Sequence, residues 1–237
     1  AVFLPTKYFF NYLLERIPMS NPSYIKVSSD NLTKIDSYKL LTGCIVPRPI
    51  AWISTLSPTG LVNLAPYSAF TIASKVPPKV LFCISKQKPG HTDFEYKDTE
   101  VNIRHNKEFA VNIGSVHHAE AIEHSAYSFP PDVSEVDLLG LKTVPSDTIA
   151  VPRLADVGVS FECKLTDMID VSTERLLIII GQVTMFHIRE DLFEDGKIDT
   201  MKLNPLMRIA GPNYATLGEK IHIPKYSEKA HRPYDHQ

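Results

Sequence analysis

The feature that most constrains the fold is an alternation of apolar and polar residues late in the chain. A period of two places the apolar residues on one face of a strand, so this segment predicts a strand with one buried face. A longer β-branched run follows at Leu176–Ile188, and Gly181 within it predicts a bulge or bend. Two long consecutive strands of this kind favour an antiparallel sheet. The alternating apolar residues are Val157, Val159, Phe161, Cys163 and Leu165.

Earlier segments add shorter strands and two helices. The turn Ser57–Gly60 joins the first two strands into a hairpin. Residues 127–155 contain four prolines and predict a long loop, and long loops in compact domains are often functional. The pattern as a whole predicts a mostly β fold, an antiparallel barrel with short inserted helices. The predicted strands are Ile45–Thr55, Leu61–Ala65, Val80–Ser85 and Phe109–Ile113, and the predicted helices are 99–106 and 116–126.

The two ends of the chain differ from the middle. Residues 1–20 are rich in aromatic residues, and they are either an extension ahead of Met19 or an arm that packs on a partner subunit. We expect the folded domain to occupy residues 38–218. Residues 219–237 are charged and rich in His and Pro, which is typical of a tail on the surface.

Composition excludes several classes of protein. The net charge of −2 over 237 residues leaves no basic excess to neutralise a nucleic-acid backbone. No apolar run reaches the roughly 20 residues that span a bilayer, so we expect no membrane segment. Cys44, Cys83 and Cys163 lie far apart, which argues against a disulfide framework or a zinc site. We therefore expect reduced thiols in a cytoplasmic protein.

One group of residues has metal-like spacing. His117, Glu120 and His124 would share one face of the predicted helix 116–126. Zinc needs three or four converging ligands with a fixed second shell. The segment is short and rich in alanine, so we interpret this face as solvated and predict no metal.

Two further clusters could bind a ligand, although the chain contains no nucleophile elbow, phosphate-binding loop or dinucleotide fingerprint. The hairpin places Arg48–Thr55 beside Asn63–Phe70, where small residues would let a flat ligand approach the backbone. The alternative is a plain hairpin with a buried Trp. The second cluster runs from Ser85 to Thr99, where lysines, hydroxyls and the start of a helix could bind an anion. The alternative is an ordinary cap, with Asp98 or Thr99 at the N-cap, among surface lysines.

At these residues the chain resembles the flavin-reductase-like family of FMN-binding split barrels, which includes flavoredoxin and the small components of two-component monooxygenases. The resemblance covers roughly residues 38–190, with a later similar segment at Gly211–Gly218. Five matching segments occur in order: Pro47–Thr55 (PRPIAWIST), Gly60–Phe70, Pro77–Ser85, Lys97–Ile103 and Glu108–Asn112.

The resemblance implies a homodimer with FMN, or FAD, in a cleft at its interface, and NAD(P)H as a transient hydride donor. One departure is Ala69–Ala73, where many relatives have an aromatic or Asn-containing step. His187 and Tyr214 are candidates near the flavin face. The implied contacts to the ring and ribityl chain are Trp52, Ser54, Thr55, Asn63, Ala65, Ser68, Ala69 and Phe70. The implied contacts at the phosphate end are Ser85, Lys97, Asp98 and Thr99, with Arg48 or Lys88.

Three functions follow from this resemblance. The first is an NAD(P)H-dependent flavin oxidoreductase that passes electrons to a monooxygenase or another acceptor. The second is an FMN-binding electron carrier without nicotinamide turnover. The third is an FMN-dependent oxidase of a phosphorylated amine. Since flavin itself carries the hydride chemistry, few protein acids or bases are needed in any of them.

Overall fold

The computed structural model of the chain describes residues 23–85, 96–171 and 176–223. The chain divides into two compact units, Ala1–Leu40 and Leu41–Gln237, and every strand of the described residues belongs to the second. Within the described ranges, no helix is long and apolar enough to cross a membrane. The predicted extension at residues 1–20, the end of the predicted tail from residue 224 and the candidate Lys88 lie outside the described residues.

A seven-stranded sheet forms the main body of the second unit. Each neighbouring pair of its strands is antiparallel. From one edge to the other, the strands are β3 (Val62–Tyr67), β2 (Ala51–Leu56), β6 (Glu108–Ile113), β9 (Val159–Asp170), β10 (Leu177–Ile188), β5 (Pro78–Ile84) and β4 (Phe70–Lys75).

Short elements surround this sheet. Three small sheets are formed by β1 (Arg48–Pro49) with β13 (Met207–Arg208) and β14 (Tyr214–Ala215), by β7 (Thr143–Val144) with β8 (Arg153–Leu154), and by β11 (Phe193–Glu194) with β12 (Lys197–Ile198). The α-helices are α1 (Lys34–Cys44), α2 (Asp98–Asn106), α3 (Ala119–His124), α4 (Glu135–Leu138) and α5 (Thr200–Leu203), and 3-10 turns lie at Ser29–Asn31, Val116–His118 and Glu190–Leu192.

One apolar cluster fills the inside of the curved sheet. All seven strands contribute to it, because Phe70 of β4 packs against the buried members from the other six. Tyr67 of the edge strand β3 packs on Phe82 of β5, the neighbour of the opposite edge strand, so the sheet curls round on itself. The predicted antiparallel barrel is therefore confirmed. Its buried members are Ala51, Ile53, Tyr67, Val80, Phe82, Ile84, Ile103, Phe109, Val111, Cys163, Leu177, Ile179 and Val183.

A second apolar cluster lies outside the barrel and fixes α3 and α4 against β2 and β3. Trp52 and Leu64 alternate with the inward-facing residues of their strands, so they point away from the barrel interior. Ile122 of α3 and Val136 of α4 cover them. This cluster positions the two helices beside the edge strand β3.

Two segments near the start of the chain correct the sequence analysis. The predicted strand Ile45–Thr55 begins only at Arg48, is interrupted at Ile50, and continues as β2. The preceding residues form the helix α1, which the sequence did not predict because its apolar and polar residues do not separate onto opposite faces. The turn at Gly60 is as predicted, with φ +87°, and its amide donates to the Ser57 carbonyl.

The bulge predicted at Gly181 is present. The register of β10 against β9 shifts between Ile180 and Gly181. Phe109 of β6 fills the space that a side chain at residue 181 would take, because a Cβ there would lie 2.7 Å from Phe109 Cε1. Glycine is therefore required at residue 181 by close packing inside the barrel.

Other elements were missed or shortened. Strand β4 was not predicted, since it is an edge strand with little burial and Ile72 is exposed. The predicted loop 127–155 contains α4 and the β7–β8 pair. The predicted helix 116–126 is a 3-10 turn followed by the short α3.

Replacing Gly181 with Ala should destabilise the protein by about 1–3 kcal/mol, since Phe109 is fully buried and has little room to move. The matched control is Gly43→Ala in α1, where an added Cβ meets nothing within 4 Å. Removing that helical glycine should raise stability by up to about 1 kcal/mol. Urea unfolding of both variants measures the two effects, and equal stability of Gly181→Ala and the native protein would contradict the packing argument.

Candidate functional site

An open cleft lies where the edge strand β3 meets the amino end of α2. It has a volume of about 170 Å³. The segment that follows α3 forms its opposite wall, and α4 contributes one buried carboxylate. The lining residues are Asn63, Ala65, Pro66, Tyr67, Lys97, Asp98, Thr99, Ser125, Ala126, Tyr127, Ser128, Phe129 and Glu135.

Asn63 is the centre of a hydrogen-bond network beneath this cleft. Its Nδ2 donates to both carboxylate oxygens of Glu135, at 2.9 and 3.0 Å. Its Oδ1 accepts from the hydroxyls of Thr99 at 3.0 Å and Thr55 at 3.3 Å. Asn102 Nδ2 in turn donates to the Thr55 hydroxyl at 3.0 Å. Because Glu135 accepts on one side of the Asn63 amide and two hydroxyls donate on the other, the orientation of the amide is fixed.

Glu135 is the only carboxylate of α4 that is buried. Its Oε2 accepts a further bond from the Leu64 amide at 2.9 Å. Helix α4 is anchored to β3 by Ser134, whose hydroxyl donates to the Val62 carbonyl at 2.7 Å. Burial raises the pKa of Glu135 to about 7, because the bonds from Leu64 and Asn63 offset only part of the desolvation and Asp98 adds like charge.

The amino end of α2 forms the wall of the cleft next to β3. Lys97 is its N-cap and makes no side-chain capping bond, so the expectation of Asp98 or Thr99 at the N-cap was wrong. Asp98 and Thr99 occupy the first two helical positions, where backbone amides point out of the helix end. The Thr99 hydroxyl is turned inward to Asn63, and the residue is 1% exposed. Burial raises the pKa of Asp98.

Tyr67 closes the inner end of the cleft. Its ring packs on Phe82 at 5.1 Å, and the Lys97 ammonium lies 5.8 Å from the ring centroid. The Tyr67 hydroxyl is buried beside the Thr99 hydroxyl, but within the described residues it forms no hydrogen bond of good geometry. Burial strongly raises the pKa of this hydroxyl. A buried donor without a partner normally signals a ligand or water that completes it.

Three of the predicted ring contacts are not brought to the cleft surface. Trp52, Ser54 and Thr55 have no exposed area. The Trp52 indole donates to the Ser125 hydroxyl at 2.9 Å, and the Ser54 hydroxyl donates to the Pro152 carbonyl at 2.8 Å. Their strand β2 is covered on both faces, so these side chains support the cleft from behind.

The remaining hairpin candidates spread along the chain from β3 into β4. Ala65 lines the cleft. Phe70 packs on the barrel core, and Ala69 is exposed. The Ser68 hydroxyl accepts a long contact of 3.5 Å from Arg48 Nε. The guanidinium of Arg48 donates mainly to backbone carbonyls, those of Thr42, Ile45 and Ile209. Ser85 is exposed at the end of β5.

His187 lies in a separate cluster on β10. Its Nε2 is 2.5 Å from Glu162 Oε1 and 3.7 Å from Asp147 Oδ2. These three side chains form the one group within the described residues that has the composition of a metal site. Glu162 already accepts from the Asp147 amide, from the Thr148 amide and hydroxyl, and contacts His187. We interpret the group as a clamp that ties the loop before β8 to the barrel.

Tyr214 lies on the small sheet with β1. Its hydroxyl donates to Glu123 Oε2, and Arg208 donates to the same oxygen at 2.8 Å while stacking on the Tyr214 ring. Burial and the bond to Glu123 raise the pKa of Tyr214 to about 12. Neither Tyr214 nor His187 is among the residues that line the cleft.

The predicted helix face of His117, Glu120 and His124 is exposed. His118 instead packs against Trp52 with ring centroids 5.8 Å apart. The sequence analysis missed Glu135, Tyr67 and the wall at residues 125–129. Tyr67 lies within a segment that carried the resemblance, whereas Glu135 is 72 residues from Asn63 and had no local signal.

Comparison with known proteins identifies the family. A profile described as "Flavin reductase like domain" matches residues 42–209. The chain belongs to this family. Membership of this family links the chain to flavin-related oxidoreduction. All of the segments that line the cleft fall within the matched residues.

Three solved structures are similar to the chain over most of its length. Nitrilotriacetate monooxygenase component B from Bacillus cereus is 35% identical, with a TM-score of 0.80 over 85% of this chain and 100% of that one. The 2-nitrobenzoate 2-nitroreductase NbaA of Pseudomonas fluorescens is 30% identical, with a TM-score of 0.77 over 86% and 98%. A protein with a split barrel domain from Shewanella frigidimarina is 18% identical, with a TM-score of 0.73 over 86% and 100%, and supports the split-barrel fold.

The Glu162 clamp predicts a specific pH dependence of stability. Burial alone would raise the pKa of Glu162, but its hydrogen bonds from Thr148, Asp147 and His187 lower it to about 2. The folded-state pKa lies below the ordinary value of 4.5, so this stability is present above pH 4.5 and is lost as pH falls toward 2.

Glu162→Gln should therefore cost about 1.5–3 kcal/mol near neutral pH, and the difference from the native protein should shrink on acidification. Glu190→Gln, at an exposed carboxylate, is the control and should change little. Urea unfolding across this pH range is the measurement. A cost of Glu162→Gln that does not vary with pH would contradict the clamp.

Proposed function

We propose that the chain binds FMN in the cleft and catalyses NAD(P)H-dependent flavin reduction, with hydride transfer to flavin N5. The observation that carries this proposal is the meeting of two distant segments. Asn63–Tyr67 and Lys97–Thr99 each carried part of the family resemblance, and both line the same cleft. FAD is the alternative flavin, and a monooxygenase or another protein is the proposed electron acceptor.

The residues present fit a flavin mononucleotide. Ala65 presents little side chain, so a flat ring can approach the backbone of β3. The Lys97 ammonium and the open amino end of α2 favour a phosphate group. The buried Tyr67 hydroxyl can donate to a ligand acceptor. When bound, flavin supplies the hydride chemistry itself, while these side chains bind and orient it.

Anaerobic titration with NADH and NADPH tests the reaction. The protein given FMN should show absorbance bands at about 370 and about 450 nm, which belong to the flavin. Loss of the longer-wavelength band on adding either nucleotide supports the reductase. A bound flavin that neither nucleotide bleaches would favour the electron carrier. Failure of native protein to bind FMN or FAD at micromolar concentration would refute the flavin site itself.

Two substitutions separate the phosphate wall from the buried network. Lys97→Met should weaken FMN binding more than riboflavin binding, by about 1.5–3 kcal/mol, since only FMN carries the phosphate. Thr99→Ala should weaken both ligands to a similar degree, because its hydroxyl supports Asn63. Exposed Lys142→Met is the control. Flavin fluorescence titration measures each affinity, and an equal effect of Lys97→Met on both ligands would place the phosphate elsewhere.

We further propose that two copies form a homodimer that completes the site. The cleft of one chain has about 170 Å³, whereas ligand pockets usually enclose about 300–1,000 Å³. A separate apolar groove of about 590 Å³ lies at the start of β9 and the end of β10. Phe186 and Ile72 line this groove and are 48% and 70% exposed. In a two-fold dimer, the same surface on a second copy would cover these two exposed side chains.

Phe186→Glu should therefore shift the protein from dimer to monomer and weaken FMN binding. Phe193→Glu is the matched control, since Phe193 is 50% exposed and does not line the groove. Sedimentation velocity across a dilution series, with and without FMN, measures both. A native monomer that binds one FMN per chain at full affinity would contradict the shared site.

The proposed location is the cytoplasm. All three cysteines are free, and Cys44 is exposed. Reduced thiols are the usual state in that compartment.

A further inference from the structure

Glu135 is a charged residue of the cleft to which the resemblance assigns no role. Its carboxyl group lines the cleft and is 3% exposed. Three hydrogen bonds, two from Asn63 and one from the Leu64 amide, hold it in place. Among the described residues, no cation lies within ion-pair distance of it. A buried carboxylate with no cation is costly to keep ionised, unless it takes up a proton.

We propose that Glu135 is the proton-binding residue of this site, and that it takes up a proton from solvent when an anionic flavin nucleotide enters the cleft. This inference rests on the proposed function, because it takes the phosphate-bearing flavin as the ligand. The step is a simple protonation of the carboxylate, so no electron is transferred and no covalent bond other than O–H forms.

The hydrogen bonds leave room for this proton. Oε2 accepts from both Asn63 and Leu64, whereas Oε1 accepts from Asn63 alone. A proton can therefore reside on Oε1, at the expense of the Asn63 bond to that oxygen, while Oε2 keeps its two bonds. The Asn63 amide then keeps its orientation toward Thr99, so the network above it survives in both protonation states.

The other titratable groups that line the cleft set the direction of the effect. They are Tyr67 from β3, Lys97 and Asp98 from the amino end of α2, and Tyr127 from the wall opposite. Asp98 opposes ionisation of Glu135, and an entering phosphate would add negative charge of the same sign. Because the pKa of Glu135 is about 7, a small further rise changes its protonation at neutral pH.

Linkage gives a measurable consequence. If binding raises the pKa of one group, the complex binds more protons than its separate components at a pH between the two values. Proton uptake should reach a substantial fraction of one proton per FMN at about pH 7.5–8. FMN affinity should fall correspondingly as pH rises through this range.

The test is isothermal titration calorimetry with FMN in buffers of different ionisation enthalpy. Native protein should take up protons, and Glu135→Gln should take up fewer, because the amide cannot titrate. The flavin phosphate titrates at about pH 6, but the same ligand is used for both proteins, so its contribution largely cancels in the difference. Exposed Glu120→Gln is the matched control and should behave as the native protein does.

Riboflavin provides a second measurement that needs no variant. It lacks the phosphate, so native protein should take up far less proton with riboflavin than with FMN. Equal proton uptake by the native protein and a folded, FMN-binding Glu135→Gln variant would overturn the proposal while leaving the flavin site intact. Equal uptake with FMN and riboflavin would overturn it as well. Failure of native protein to bind FMN would contradict the proposed function and, with it, this inference.

Discussion

The shape of the cleft depends on the two-sided anchoring of the Asn63 amide. Its donor side is fixed by Glu135 and its acceptor side by Thr99 and Thr55. These bonds join the β2–β3 hairpin to α2 and α4, whose Thr99 and Glu135 lie 36 and 72 residues from Asn63 in the chain. In a low-dielectric interior, each buried polar group must be satisfied, so removing one member leaves several others unpaired. The network therefore holds β3 and the amino end of α2 at a fixed separation.

Two buried glutamates show how surroundings decide the charge of the same side chain. Glu162 receives bonds from two amides and a hydroxyl and lies beside His187, and its pKa is lowered to about 2. Glu135 receives its bonds from one side chain and one amide, with Asp98 nearby, and its pKa is raised to about 7. Donors that stabilise the ionised form outweigh desolvation at Glu162 and fail to do so at Glu135. The first carboxylate therefore suits a permanent structural bond, and the second suits a group that titrates.

The sequence predicted those parts of the fold in which the pattern is local. Alternation placed β9, and the long β-branched run with its glycine placed β10 and its bulge. It missed β4 because an exposed edge strand needs no apolar alternation. Trp52 and Thr55 belong to a segment that carried the family resemblance. Because β2 is buried on both faces, these two side chains support the cleft from behind and do not line its surface. Glu135 could not be predicted, since its importance arises from Asn63, 72 residues away.

The position of the cleft follows from how the edge of the sheet is protected. Strand β3 pairs on one side only, so the backbone groups of residues 62, 64 and 66 face away from β2. An open edge of this kind invites pairing with other chains. The Ser134 hydroxyl donates to the Val62 carbonyl, and the Glu135 carboxylate accepts from the Leu64 amide. Pro66 has no amide hydrogen to donate. Helix α4 thus covers the first half of the edge, while the second half stays open beside α2. The same contacts that prevent strand addition leave a gap there, and that gap is the cleft in which a flat ligand can lie against the backbone.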